Sequence, residues 1–142
     1  MRFFAVIDTN VIVSSLLSPL SDSATVLIRK HLLDGTIIPL FNEEILSEYR
    51  AVLARPKLGL PVNLATQIVN TITQTGFALE RTVSPEAFSD PKDLVFYEVA
   101  LSKEDAYLVT GNTKHFPQTP FVVTPAEMLA IIESTNTDTP AR

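Results

Sequence analysis

The chain has 142 residues, of which 46% are hydrophobic and 19% charged, so it fits one domain with a sizeable core and not a disordered polypeptide. It contains no cysteine, which excludes disulfides and thiolate metal sites. The formal net charge of −5 opposes binding to phosphate backbones, unless acidic side chains concentrate where cations bind.

The chain begins with a short apolar run, Phe3 to Ile7, which Asp8 interrupts. A signal-peptide core needs roughly 7–15 apolar residues and a membrane helix about 18 or more, so this run is too short for either. A continuous apolar run of this length predicts a strand that is covered on both faces, as in a parallel sheet. We expect a cytoplasmic protein with no membrane partner, which the lack of cysteine also fits.

Further along, short apolar runs alternate with segments of helical periodicity. The predicted strands are Phe3–Ile7, Ile37–Leu40, Phe77–Leu79, Ala106–Thr110 and Phe121–Val123. The predicted helices are Val11–Leu17, one from Asp22 or Ser23 to Gly35, one from Asn42 through Leu53, one from the Pro56–Pro61 connector to about Gly76, one from Asp90 through Ser102, and one from Thr124 to Glu133. This alternation predicts a three-layer α/β/α fold, with a parallel sheet of about five strands and helices on both faces. We expect one domain over residues 1–133 and a disordered polar tail over 134–142.

The first candidate site residue is Asp8, which directly follows the first predicted strand in the segment Asp8-Thr9-Asn10. Ligands of open α/β sheets bind beyond the carboxyl ends of the strands, so this carboxylate is placed to face a ligand. The alternative is that Asp8 caps the following helix, although Asn10 also offers a cap.

The second candidate is Glu48, on the helix that follows Asn42. At 100° per residue, Glu48 lies about 40° beyond Val52 at the border of the apolar stripe, and Glu44 lies roughly another 40° further out. Glu48 is therefore the better inward-facing acid. The alternative is an ordinary glutamate at the rim of an amphipathic helix.

The third candidate is Asp93, at the start of the fifth predicted helix. Asp90 fits the cap of this helix and Pro91 its first position, and Asp93 in the first turn favours the helix dipole. However, helical geometry also places Asp93 on one face with Phe96 and Ala100. A carboxylate on such an apolar face must be hydrogen-bonded, paired or metal-bound, so we take Asp93 as the functional acid and Asp90 as the cap.

The fourth candidate is Asn112, in the turn Thr110-Gly111-Asn112 after the fourth predicted strand, with His115 close by. The alternative is an ordinary Gly-Asn turn. Together, three acids and an amide are predicted at the sheet edge, and oxygen ligands of this kind suit Mg²⁺ or Mn²⁺. A bound cation would reverse the local charge and attract phosphate, which removes the objection raised by the acidic composition.

These residues lie within stretches that resemble the PIN-domain family, in particular its branch of toxin components from toxin–antitoxin pairs. The resembling stretches are Val6–Val11, Glu44–Leu53, Asp90–Asp93 and Tyr107–Phe116. Asp-Thr-Asn alone is a weak motif, but the ordered set at these intervals is specific. The resemblance implies a PIN-like, Rossmann-type nuclease domain over residues 1–133.

By this resemblance, Asp8, Glu48 and Asp93 bind the metal and Asn112 completes the site. Many relatives carry an acid where this chain has Asn112, which adds no negative charge. Some carry another acid at the position of His115, which we interpret as a surface loop histidine. The residues expected to support the site are Asn10, Thr110 and Asp90, and the expected RNA contacts are Arg50, Arg55, Lys57 and Lys114.

The implied activity is that of a divalent-metal-dependent endoribonuclease that hydrolyses RNA phosphodiester bonds. The metal would lower the pKa of a bound water, and Glu48 would be a ligand or orient the attacking water. The resemblance further implies an antitoxin partner and a homodimer.

Three other functions fit parts of the pattern. A phosphatase of the haloacid dehalogenase type needs a second aspartate two residues after the first, where this chain has Asn10. A phosphate-receiver domain needs an adjacent acid pair near the end of the first strand, which the sequence lacks. The remaining alternative is a non-catalytic PIN-like module that binds RNA or protein, and Asn112 is the feature that favours it.

Overall fold

The computed structural model describes residues 1–137 and shows five strands and six α-helices in that range. The strands are β1 (Phe3–Ile7), β2 (Ile37–Phe41), β3 (Phe77–Ala78), β4 (Tyr107–Val109) and β5 (Val122–Val123). The helices are α1 (Thr9–Leu17), α2 (Ala24–Asp34), α3 (Glu43–Leu53), α4 (Val62–Thr75), α5 (Pro91–Leu101) and α6 (Pro125–Thr137). Short 3-10 helices lie at Pro56–Leu58 and Thr113–His115.

The five strands form one parallel sheet in the order β3-β2-β1-β4-β5. The central strand β1 is apolar throughout, and its residues Ala5, Val6 and Ile7 are fully buried. Helix α5 packs on β1, β2 and β4, while α2 and α4 pack on β2. The predicted three-layer α/β/α fold with a parallel five-stranded sheet is confirmed.

Several helix ends follow the capping signals of the sequence. The Asn42 side chain accepts a hydrogen bond from the Ile45 amide, and Asp90 accepts one from the Lys92 amide. Gly35 ends α2 with φ of 84°, a left-handed conformation that favours glycine. Local chemistry therefore sets where these helices begin and end.

Two predicted helix boundaries are wrong. Helix α1 begins at Thr9 instead of Val11, with Asp8 at the N-cap position, so Asn10 lies inside the helix and does not cap it. Asp8 itself makes no side-chain capping hydrogen bond, because its carboxylate is engaged elsewhere. Helix α6 continues to Thr137, beyond the predicted end at Glu133.

Of the predicted tail, residues 134–137 belong to α6, and 138–142 lie outside the described residues. The division into a domain of residues 1–133 and a tail stays a prediction. No helix in the described range is long and apolar enough to span a membrane.

Helix α4 ends at a close approach to β2. A Cβ atom added to Gly76 would lie 2.0 Å from the carbonyl oxygen of Pro39, so no residue with a side chain fits at this position. The glycine thus allows the chain to leave α4 and enter β3 beside β2.

Candidate active site

A cavity of ≈ 830 Å³ lies at the carboxyl ends of β1 and β4. Its lining includes Asp8, Glu48, Asp93 and Asn112, and we refer to it as the acidic cavity. The four side chains come from the ends of β1 and β4 and from helices α3 and α5. All four residues predicted to form the site therefore face one cavity, at the edge of the sheet where parallel α/β proteins bind ligands.

Asp8 is the most enclosed acid of the cavity, with 8% of its surface exposed. Its amide donates to the carbonyl of Val109, which continues the ladder between β1 and β4. Its Oδ2 atom accepts hydrogen bonds from the Thr110 hydroxyl at 2.7 Å and from the Asn10 side-chain amide at 3.3 Å. The backbone and the carboxylate are thus both fixed.

Asn10 and Thr110 also hold the turn that follows β4. The Asn10 Oδ1 atom accepts a hydrogen bond from the Gly111 amide at 3.2 Å. The Thr110 hydroxyl accepts one from the Asn112 amide at 3.0 Å. These two residues thus connect Asp8 to the turn that carries Asn112.

Burial raises the pKa of Asp8, and the nearby Asp93 and Glu48 carboxylates raise it further, while the Thr110 hydroxyl and the Thr9 amide oppose the shift. Desolvation and like charges both disfavour the ionised acid. A cation in this cavity would remove both penalties.

Asp93 lies in the first turn of α5, and its side chain is 19% exposed. Its Oδ2 atom lies 3.6 Å from Nδ1 of His115. Burial and the neighbouring Asp90 raise the pKa of Asp93, and the Glu48 carboxylate adds to this, while His115 lowers it. Asp90 caps α5 as predicted and also lines the cavity.

Glu48 enters the cavity from α3. Its Oε1 atom lies 3.7 Å from Nζ of Lys92, a residue of α5. The neighbouring Tyr49 is buried, and its hydroxyl donates to the carbonyl of Ile7 at 2.5 Å. The tyrosine fixes α3 to the end of β1, so it holds Glu48 near Asp8.

The basic residues expected to contact RNA fall in three places. Arg55 and Lys57 line the acidic cavity. Arg50 lines a neighbouring cavity between α3 and α4, together with Arg55. Lys114 lies in a separate surface depression with Phe116 and Pro117.

The acids do not form a closed set of metal ligands. Within residues 1–137, no group of three or more His, Cys, Asp or Glu side chains could hold a metal ion as it is arranged. The carboxylates repel one another, which keeps them apart. Glu48 instead lies beside Lys92, and Asp93 lies beside His115. The ligand atoms are nevertheless of the right chemical type, because Mg²⁺ and Mn²⁺ prefer carboxylate and amide oxygens.

One network of ion pairs was not predicted from the sequence. Glu98 is a charged residue with only 4% of its surface exposed, on the interior of α5. Arg81 contacts Glu98 at 2.8 Å and Glu44 at 3.1 Å, and the Ser84 amide donates to Glu98 at 2.6 Å. The network joins α3 to α5, the two helices that carry Glu48 and Asp93. Its sequence signal was a glutamate among the apolar residues of α5.

The parallel sheet and the acidic cavity at its carboxyl edge define an α/β protein with an enzyme-like site. The sequence model of the PIN-domain family matches residues 5–114, so the chain belongs to the PIN-domain family. No curated protein and no solved structure gives a significant match to the chain. PIN domains are generally nucleases that act on nucleic acids, and they typically use divalent metals.

Proposed function

We propose that the chain is a divalent-metal-dependent endoribonuclease, and that Asp8, Glu48, Asp93 and Asn112 form its active site. The observation that carries the proposal is the meeting of three acids from β1, α3 and α5 in one cavity of a PIN domain. The pKa values of the buried Asp8 and the partly buried Asp93 are both raised, and acids with raised pKa values in a cavity are typical of a functional site.

In this proposal, Asp8 and Asp93 hold Mg²⁺ or Mn²⁺, Asn112 adds a neutral oxygen, and Glu48 holds the metal or orients the attacking water. A bound metal supplies a water of lowered pKa and stabilises charge on the phosphate. Thr110 keeps the Asp8 carboxylate in one orientation through its hydroxyl.

Nζ of Lys92 lies 3.7 Å from Oε1 of Glu48, and Nδ1 of His115 lies 3.6 Å from Oδ2 of Asp93. A cation held by Glu48 and Asp93 would compete with Lys92 and His115 for the same carboxylates. Arg55 and Lys57 are placed to hold the RNA backbone at the rim of the cavity.

We also propose that the protein is a cytoplasmic toxin that an antitoxin protein neutralises, and that it acts as a homodimer. These proposals rest on the resemblance to toxin components. Co-purification with a neighbouring gene product and the mass of the purified protein in solution test them.

A second candidate is a non-catalytic PIN-like module that binds RNA or protein. Two observations favour it: Asn112 replaces an acid, and no three-acid metal set is assembled within residues 1–137. Such a module would retain RNA without a divalent cation.

Cleavage of a mixed set of labelled RNAs, with Mn²⁺ and with EDTA, tests the proposal. We expect the wild type to cleave only with Mn²⁺, and Asp93→Asn to lower the rate at least about a hundredfold. Asp22→Asn is the matched control, because Asp22 is an exposed acid outside the acidic cavity. It should cleave as the wild type does.

Cleavage that survives both EDTA and the Asp93→Asn substitution would contradict the proposed mechanism. RNA binding without cleavage under all conditions would favour the non-catalytic module.

A further inference from the structure

A second cavity, of ≈ 490 Å³, lies between α3 and α4, beneath the connector that joins them. Apolar side chains of Leu53, Leu60 and Val69 contribute to its walls. Thr66 and Asn70 of α4 add polar groups to the lining. We refer to it as the α3–α4 cavity. Its volume lies within the roughly 300–1,000 Å³ typical of small-molecule sites.

Two arginines add positive charge to the lining of the α3–α4 cavity. Arg50 and Arg55 both line the α3–α4 cavity, and both are exposed. Neither forms an ion pair with any residue in the range 1–137. In a chain of net charge −5, two unpaired arginines lining one cavity favour an anionic ligand.

Arg55 also lines the acidic cavity, so the two cavities adjoin at this side chain. A strand whose phosphate is held at the acidic cavity would pass Arg55 on its way to the α3–α4 cavity. In RNA, one ribose links each phosphate to a nucleobase. The group that reaches the α3–α4 cavity from such a phosphate is therefore a nucleobase.

We propose that the α3–α4 cavity binds one unpaired nucleobase of an RNA strand next to the phosphate held at the acidic cavity. The inference rests on the proposed function for its substrate. It adds that the substrate must be single-stranded at this position, since a paired base cannot leave its helix without cost.

The chemistry of the cavity matches a base. Its apolar walls cover the face of a planar ring, and a guanidinium plane can stack on that ring. The amide of Asn70 can both donate to and accept from the polar edge of a base. An apolar protein segment would fill the same walls but would leave both arginines without an anion.

Amide chemical shifts of the 142-residue chain, recorded in EDTA, test the proposal. The probes are the 5′-monophosphates of uridine and adenosine, and ribose 5-phosphate serves as the probe without a base. We expect the nucleotides to shift amides of α4 between Ala65 and Asn70, and ribose 5-phosphate to leave them unchanged. Equal shifts with ribose 5-phosphate, or no nucleotide-induced shifts in α4, would overturn the proposal.

Ala65→Phe fills the cavity from α4 and should weaken nucleotide binding at least about tenfold, the scale of one base-stacking contact. Asn63→Phe adds the same side chain to an exposed position of α4 outside both cavities, and should bind as the wild type does. Arg50→Gln changes only an exposed side chain and should weaken binding severalfold, so the test does not depend on the folding of Ala65→Phe. Unchanged nucleotide affinity in Arg50→Gln, or loss of binding in Asn63→Phe, would contradict the proposal.

This measurement is independent of cleavage, since EDTA removes the metal. If the chain binds nucleotides but cleaves no RNA, the nucleobase site is supported and the proposed nuclease activity is contradicted. If it cleaves RNA without nucleotide-induced shifts in α4, the activity is supported and the nucleobase site is contradicted.

Discussion

Two side-chain hydrogen bonds orient the Asp8 carboxylate. The Thr110 hydroxyl and the Asn10 amide both donate to its Oδ2 atom. Partners of this kind around metal-binding carboxylates typically change activity or metal affinity 10–100-fold when they are removed. Thr110 is therefore a positioning residue for the proposed reaction.

Thr110→Val removes the hydroxyl and keeps the shape of the side chain. We expect a roughly 10–100-fold loss of Mn²⁺ affinity, measured by calorimetry, and a comparable loss of cleavage. Thr119→Val is the matched control, because the Thr119 hydroxyl is buried without a hydrogen-bond partner among the described residues. Unchanged Mn²⁺ affinity in Thr110→Val would show that Thr110 does not position Asp8.

The raised pKa of Asp8 also has a consequence for stability in the metal-free protein. Burial places the pKa of Asp8 in the folded state above its value in the unfolded chain. Between these two pKa values the folded state binds more protons, so the free energy of unfolding falls as the pH rises through this interval. Ionised Asp8 therefore lowers stability at neutral pH.

Asp8→Asn should accordingly raise the free energy of unfolding at about pH 7, in EDTA, by about 0.5–2 kcal/mol. The gain should shrink as the pH is lowered through the raised pKa of Asp8, because the wild-type acid then takes up a proton. Urea unfolding at several pH values measures both effects. A wild type more stable than Asp8→Asn at neutral pH would show that the hydrogen bonds outweigh desolvation.

At the level of elements, the site depends on the relative placement of α3 and α5. Arg81 lies in the segment between β3 and α5 and contacts Glu44 of α3 and Glu98 of α5. Glu44 lies one helical turn before Glu48 on α3. The network therefore fixes the spacing of the two helices near the acidic cavity.

Arg81→Gln should lower the free energy of unfolding by about 2 kcal/mol or more, because it leaves the buried Glu98 carboxylate without its cation. Glu98→Gln in the same chain removes that charge, so the double variant should recover part of the loss. Urea unfolding of both single variants and the double variant measures the coupling. Additive losses would mean that the two side chains do not interact.

The elements show which parts of the structure local signals determine. Strand β1 and the caps at Asn42 and Asp90 follow from short-range chemistry, and the structure has them where the sequence predicts them. Strand β2 is interior to the sheet although it contains Pro39, so tertiary context overrides the local disfavour of proline there.

The site residues likewise divide into those that local sequence signals predicted and those that depend on packing. Position after a parallel strand was enough to bring Asp8 and Asn112 to one cavity, and helical spacing was enough for Glu48 and Asp93. The pairing of Lys92 with Glu48 and of His115 with Asp93 could not be predicted, because each pair depends on how separate segments pack. The same holds for Arg81, which contacts two helices from a segment of irregular structure.

At the level of the whole molecule, charge limits how the protein could hold the RNA proposed as its substrate. The chain carries 16 acidic and 11 basic residues, so its overall field repels a polyanion. Under the proposed function, affinity for RNA would come from the few basic side chains at the cavities together with a bound cation. Such an interface neutralises few phosphates.

The binding of a short 2′-O-methylated RNA in Mn²⁺ should therefore depend weakly on salt. With at most the four proposed basic contacts, we expect a slope of log Kobs against log salt no steeper than about −3. Lys57→Gln should reduce the slope by about 0.7, while Lys103→Gln should not, because Lys103 lies over the ring of Phe4 and lines neither cavity. A much steeper slope would indicate an extended basic surface contributed by a second protomer or another protein.

The hydrogen bond between Thr110 and Asp8 joins residues that are 102 positions apart in the chain. During translation, Asp8 leaves the ribosome 102 residues before Thr110, which opens the turn that completes the acidic cavity. A nascent chain that stops before Thr110 has neither this hydrogen bond nor Asn112. If the protein cleaves RNA as proposed, the message being read is therefore safe from its own product until nearly the whole domain has been synthesised.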